Sequence, residues 1–281
     1  MITVSDLPGM SGVMRQYGFV ANKRLGQHFL FDQNITDKIV LYARPLDGVS
    51  VAEIGPGPGG LTRSLLQAET EQVLAIEMDE RFLPPLGDIA RAYPNRLILH
   101  HGDAVKVDIS KRLTAPIKII ANLPYNVSTQ LLTGWLTAKP LFWSQAVLMF
   151  QKEVADRITA GPGDKSYGRL AVLAQSVCIC RQAFDIPARA FTPPPKVDST
   201  VIVLNPLPER ERFKALDKLG EVTQAAFGQR RKMLRRSLKS IALKYELDLD
   251  IWLSETQINP AVRPESLNVL HFRHLAKGLS N

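Results

Sequence analysis

A chain of 281 residues, 45% hydrophobic and 22% charged, has room for one large domain plus a smaller one and the composition of an ordinary folded protein. Its formal charge of +8, from 35 Lys+Arg against 27 Asp+Glu, favours an anionic partner, nucleic acid first. No run of about 18 apolar residues is present, which argues against a membrane span, and Cys178 and Cys180 with five histidines leave zinc without a ligand set. The two cysteines sit in the apolar run V-C-I-C, which reads as reduced strand thiols in a reducing compartment. Residues 1–20 lack a secretory pattern and carry Asp6 with a single basic residue, Arg15, so a cytoplasmic protein is expected over an imported one.

In chain order, Asp32 caps a helix through Ile35 to Tyr42, and residues 49–54 form a short strand. G-P-G-P-G-G at 55–60 follows and opens a helix. Strands are expected at 73–76, 97–100, 117–121 and 145–150, with helices over 80–92, 128–137 and 152–158 between and after them. Strands are also expected over 171–180 and 200–204, separated by the proline loop F-T-P-P-P-K-V-D-S at 191–199, which is too rigid for helix or central strand. Beyond residue 206 the pattern is helical, at 221–227, 232–243 and 265–275. Short apolar strands alternating with helices predict a Rossmann-like α/β domain over 1–205 and an all-helical one over 206–281.

In such a sheet ligands bind outside the C-terminal strand ends, and Glu53, Glu77, Asp103 and Asn122 all fall there. Gly55 permits a tight turn off the first strand, and Gly57 lets the backbone approach a ligand without a Cβ in the way. Gly55, Gly57 and Gly60 also fit the dinucleotide pattern G-x-G-x-x-G, and Glu77 is placed to hold ribose hydroxyls in either case. Glu53 tilts the choice toward S-adenosylmethionine, whose amino group and sulfonium tolerate nearby carboxylates. Asp103 is placed to accept from the adenine amino group of that cofactor.

Asn122-Leu123-Pro124-Tyr125 points to the chemistry. An adenine N6 lone pair is delocalised into its ring, and acceptors on both amino hydrogens favour the tetrahedral geometry needed for attack. The Asn122 side-chain oxygen and the Leu123 carbonyl are the candidate acceptors. Pro124 stiffens the turn, and Tyr125 offers a ring for the base to stack on. Phe191, in the proline loop, either closes on the other face of that base or packs into the core.

These motifs resemble the small-subunit ribosomal RNA adenine-N6,N6-dimethyltransferases. The resemblance runs from K-R-L-G-Q-H-F-L at 23–30 through E-I-G-P-G-P-G-G-L-T at 53–62, E-M-D at 77–79, G-D-A at 102–104 and N-L-P-Y at 122–125. It continues through the proline loop to F-G-Q-R-R-K at 227–232 and R-P-E-S-L at 263–267. It implies a class I S-adenosylmethionine-dependent fold with no metal, in which Gln27, His28 and Leu30 close over the cofactor. Gly55 would then contact its amino-acid end, Glu77 its ribose and Asp103 its adenine, with Asn122 facing the reacting centre. The implied substrate is a pair of adjacent adenosines in the 3′-terminal hairpin of small-subunit (16S) rRNA, methylated by a monomer on an assembling 30S particle. His28 stands where many members carry asparagine.

The segment R-R-K-M-L-R-R-S-L-K at 230–239 holds no acid and reads as a helix with an apolar stripe of Met233, Leu234 and Leu238. Its Arg230, Arg231, Lys232, Arg235 and Arg236 are expected to meet RNA phosphates. Three alternatives stay open: a large-subunit rRNA adenine methyltransferase of the resistance type, a nicotinamide-dependent oxidoreductase, and a non-catalytic ribosome assembly factor.

Overall fold

The structure, a computed structural model, describes residues 7–19 and 27–279; Lys23 and Arg24 of the first motif lie outside them. The chain begins with α1 (Met10–Gln16), β1 (Phe29–Leu30) and α2 (Gln33–Leu41). As expected, Asp32 caps α2, its carboxylate accepting from the Asn34 N–H. An alternating series follows: β2 (Ser50–Ile54), α3 (Gly60–Gln67), β3 (Gln72–Glu77), α4 (Leu83–Ala92), β4 (Leu97–His101), β5 (Ile117–Asn122), α5 (Ser128–Thr137), β6 (Gln145–Gln151) and α6 (Lys152–Thr159). Next come α7 (Arg169–Gln175), β7 (Cys178–Ile186), β8 (Phe191–Thr192) and β9 (Ser199–Pro206).

Seven strands form one sheet in the order β4-β3-β2-β5-β6-β9-β7. The pairs β2–β3, β2–β5, β3–β4 and β5–β6 are parallel, and β9 joins β6 antiparallel. The central strands β2, β3, β5 and β6 are buried along nearly their whole length. That burial is why their sequences read as continuous apolar runs and not as alternating ones. From β2 the chain steps outward to β3 and β4, then returns to the other side of β2 as β5. The strand order therefore reverses between β2 and β5, and a crevice opens beyond their C-terminal ends. The loop after β2 and the turn after β5 flank it. A separate two-stranded sheet pairs β1 with β8, Phe29 opposite Thr192 and Leu30 opposite Phe191.

The chain divides into two compact units. One takes the chain up to Ala155 and again from Arg181 to Asn205; the other holds Asp156–Cys180 and the chain from Pro206 on. The seam near residue 206 is thus accompanied by a second, because Tyr167, Ala171 and Val172 bury themselves in the helical core with Leu219, Val222, Phe272 and Leu275. The helical unit is built on α8 (Leu216–Gly228), α9 (Leu234–Ser237), α10 (Lys239–Lys244), α11 (Leu249–Glu255) and α12 (Val269–Gly278).

Two expectations are corrected. Residues 171–175 are helix, and the strand begins only at Cys178. R-L-A-V-L-A-Q is rich in Leu and Ala, which favour helix, and a short wholly apolar run carries no periodicity to tell the two apart. The basic segment is not one helix either. Arg230–Lys232 lie in a turn and Met233 is extended. The N–H groups of Leu234 and Arg235 donate to the carbonyls of Val262 and Pro260, so α9 starts at Leu234 and spans a single turn. α11, capped by Asp248, was not anticipated.

Candidate active site

The loop after β2 has the conformation its glycines allow. Gly55 and Gly57 have φ of 66° and 54°, in the left-handed region that favours glycine. A Cβ on Gly55 would stand 3.2 Å from Pro124 Cγ, so this glycine also lets the loop and the turn after β5 approach each other. The Gly57 N–H donates to Glu77 Oε2 at 3.0 Å, and the Asp79 N–H donates to Oε1 at 2.8 Å. Glu77 thus ties the glycine loop to the end of β3. Glu53 lies deeper, 1% exposed, with Oε2 accepting from the Thr62 hydroxyl at 2.7 Å.

Burial pushes the Glu53 carboxyl up to about 8, against the Thr62 hydrogen bond and helped by the nearby Glu77. Burial also raises Glu77, opposed by the N–H groups of Asp79, Gly57 and Met78. Two buried carboxyl groups in one crevice, each disfavoured as an anion by burial, form a site primed for a cationic or multiply donating ligand that would favour their ionised form.

A cavity lies against these groups. Its walls include Gln27, His28 and Leu30, the acids Glu53, Glu77 and Asp103, and the whole Asn122–Tyr125 turn. Every expected cofactor residue, Gly55 and Gly57 included, lines it. Asn122 ends β5 opposite Met149, and its side-chain amide makes no hydrogen bond within the described residues. Leu123 is buried, while Pro124 and Tyr125 are half-buried. The Tyr125 hydroxyl is 2.7 Å from the Ser199 hydroxyl, and burial holds its phenol neutral and raised. Asp103 Oδ1 accepts from the Val105 N–H at 3.0 Å, so the same side chain that faces the cavity also caps its turn.

Phe191 is placed elsewhere. It is 2% exposed, belongs to the core around Leu30 and Phe82, and does not line the cavity. Its pairing with Leu30 in the two-stranded sheet turns the ring inward, so the core-packing alternative describes it. Sequence reasoning also missed several participants. Thr62 braces Glu53, Asp79 takes a 2.8 Å hydrogen bond from Gln27 and an ion pair from Arg81, and exposed Met78 and Val105 stand on the cavity wall. Thr62, Met78 and Asp79 were inside the quoted motifs, so the signal was present without a role attached. Among the described residues no group of three His, Cys, Asp or Glu side chains could hold a metal.

The helical unit shows a different surface. Arg231, Lys232, Arg235 and Arg236 are exposed and form no ion pair among the described residues. Arg230 is tied down, donating to the carbonyls of Lys165 and Asp164 and standing 3.5 Å from Glu265.

The family described as "Ribosomal RNA adenine dimethylase" matches residues 18–280. Among curated proteins, the chain is 49% identical to "Ribosomal RNA small subunit methyltransferase A" of Maricaulis maris, over 98% of this chain and 96% of that one. It is 50% identical to the protein of the same name from Ruegeria sp., over 99% of each. Among solved structures, a dimethyladenosine transferase from Plasmodium falciparum superposes with a TM-score of 0.75 at 28% identity, covering 88% of this chain and 96% of that one. With a family match of that extent and relatives about half identical along nearly their whole length, the chain belongs to the ribosomal RNA adenine dimethylases.

Proposed function

We propose that the protein transfers methyl groups from S-adenosylmethionine to N6 of two adjacent adenosines in the 3′-terminal hairpin of 16S rRNA, on a 30S particle late in assembly. The carrying observation is the meeting of the Asn122–Tyr125 turn with the glycine loop and Glu77 around one cavity. The small-subunit assignment rests on the relatives, whose names specify that subunit. The cavity fits the cofactor by its donor set: buried carboxylates at Glu53 and Glu77 for amino and hydroxyl donors, Asp103 for an adenine amino group, and a glycine loop that a Cβ would crowd. When bound, S-adenosylmethionine supplies an activated methyl group on a sulfonium, so no strong base is needed to start the transfer.

The protein's part is orientation. Asn122 Oδ1 and the Leu123 carbonyl accept from the two N6 hydrogens, turning the nitrogen lone pair toward the donor. Pro124 fixes the turn, and Tyr125, held through Ser199, supports the base. A base in a hairpin must leave its stack to reach this turn. By fixing where the amino nitrogen sits, the turn would supply several kcal/mol of the barrier through orientation, and the proton displaced from N6 would leave to water. The sheet-bearing unit serves as the catalytic domain, and the helical unit meets RNA phosphates through exposed Arg231, Lys232, Arg235 and Arg236. Arg230 contributes less, since its guanidinium already serves two carbonyls and Glu265. The protein acts as a monomer in the cytoplasm, where its substrate is assembled; among its described residues no helix is long and apolar enough to cross a membrane.

The test is to incubate the protein and isotope-labelled S-adenosylmethionine with small-subunit particles from cells lacking it, and then to map the label by mass. Two neighbouring dimethyladenosines near the 3′ end of 16S rRNA are expected. Label on large-subunit RNA alone would favour the resistance-type alternative.

A further inference from the structure

His28 is held in a way that fixes its chemistry. Its Nδ1 lies 2.7 Å from the Pro193 carbonyl oxygen. A carbonyl oxygen only accepts, so Nδ1 carries the hydrogen and the neutral ring keeps its lone pair on Nε2. The ring is stacked on Tyr125, with centroids 5.6 Å apart and planes 30° from parallel. Tyr125 is in turn bonded to Ser199. Both anchors come from one stretch of chain, since Pro193 follows β8 and Ser199 begins β9. Neighbouring Phe29 and Leu30 pair with that same stretch as β1. The imidazole is thus pinned at one edge and one face on a wall of the cavity, and Nε2 has no hydrogen-bond partner among the described residues.

We infer that His28 makes the site discriminate by charge between the methyl donor and its spent product. Here the observation is that the residue's one free polar atom can gain a proton without breaking the Nδ1–H bond that holds the ring. A proton on Nε2 makes the ring an imidazolium at an unchanged position, on the wall of a cavity that must receive a sulfonium. Two cations then share the site. S-adenosylhomocysteine, a neutral thioether at the same atom, escapes that repulsion. Repulsion between two unit charges in one partly desolvated site amounts to about tenfold or more in binding. Neutral His28 therefore admits the charged donor and protonated His28 favours retention of the product. An asparagine at this place cannot switch in this way.

Other groups titrate in the same surroundings and must be separated. Tyr125, against the ring face, stays a neutral phenol. Asp79, bonded to the adjacent Gln27, is held well below the usual carboxylate range by its Arg81 hydrogen bond. Glu53, Glu77 and Asp103 line the cavity with His28, and protonation of Glu53 and Glu77 also weakens binding of a cation as pH falls. That background remains when His28 is replaced by asparagine, so the difference between the two proteins isolates the imidazole.

This inference rests on the proposed methyl donor, and the experiment keeps the two apart. S-adenosylmethionine and S-adenosylhomocysteine are titrated calorimetrically into the full-length protein and into His28→Asn from about pH 8 to pH 5.5. The ratio of donor to product affinity is expected to fall about tenfold further in the original protein than in His28→Asn. Superimposable ratios would overturn the inference, and failure of both ligands to bind the original protein would overturn the donor assignment instead. Histidine ¹⁵N–¹H correlation spectra give a readout that needs no ligand, the His28 signals being those absent from His28→Asn. A neutral ring protonated at Nδ1 is expected. A ring protonated at Nε2 would also overturn the inference.

Discussion

The two units treat charge in opposite ways. In the sheet-bearing unit the acids Glu53 and Glu77 are buried at strand ends, braced by Thr62 and by the N–H groups of Gly57 and Asp79. In the helical unit Arg231, Lys232, Arg235 and Arg236 stand in solvent with no ion pair among the described residues. Buried carboxylates cost folding energy and are worth keeping only where a ligand uses them. Exposed cations cost little and act at a distance, with a strength set by salt. The contrast fits the proposed roles, chemistry at a fixed point in one unit and sequence-tolerant positioning on RNA by the other.

The largest effect expected from breaking this contrast is at Asn122. Asn122→Ala should lower single-turnover methylation about 10²–10³-fold, the loss typical of one well-placed polar contact to a transition state. Cofactor affinity by titration should stay within a few-fold on the proposed role of Asn122 as an acceptor for the base. Equal loss of binding and turnover would move Asn122 into the cofactor site.

Reversing charge in the helical unit should give the complementary result. Arg231→Glu, Arg235→Glu and Arg236→Glu together should weaken binding to small-subunit particles by about 10–100-fold at moderate salt, flatten the salt dependence and spare cofactor binding. Arg230→Glu should do less to RNA binding and more to stability, because it leaves the Lys165 and Asp164 carbonyls unpaired and faces Glu265 with a like charge. If Arg230→Glu alone matched the triple variant in RNA binding, the tethered arginine would be the contact.

The buried acid makes the sheet-bearing unit sensitive to pH. Glu53 sits at about 8 in the folded protein against 4.5 when exposed. Between those values the unfolded chain releases a proton that the folded one keeps, so stability is fully present below about pH 4.5 and declines as pH rises toward 8. For the cofactor-free protein the loss is on the order of a few kcal/mol, and Glu53→Gln should abolish most of it in denaturant titrations across that range. An unchanged pH slope in the variant would show that Glu53 is already ionised in the empty site. The smallest effect is expected from Ser199→Ala, which frees the Tyr125 hydroxyl and should reduce turnover a few-fold with little change in cofactor affinity.

Much of this was legible because strands buried on both faces leave unmistakable apolar runs, and because the glycine loop and N-L-P-Y must stand at their ends. The segments that misled are those where local pattern underdetermines structure. R-L-A-V-L-A-Q has no polar residue inside it to set a period. The basic stretch is broken by backbone bonds to residues 260 and 262, a tertiary fact no window of sequence contains. Phe191 looked like a base platform from its loop, but β1 captures it through a pairing across more than 160 residues. The bracing of Glu53 by Thr62 and of Tyr125 by Ser199 is of the same kind: motif residues visible in the chain, with partners assigned only by the fold.

In the proposed reaction a flipped adenine amino group and the methyl donor meet between the Asn122 turn and the glycine loop. A crystal structure of the protein with S-adenosylhomocysteine tests it most directly. The ribose is expected on Glu77, the sulfur between the glycine loop and Asn122, and the Asn122 amide open to an incoming base. A cofactor seated away from Glu77, or an Asn122 side chain sealed off from the sulfur, would contradict it.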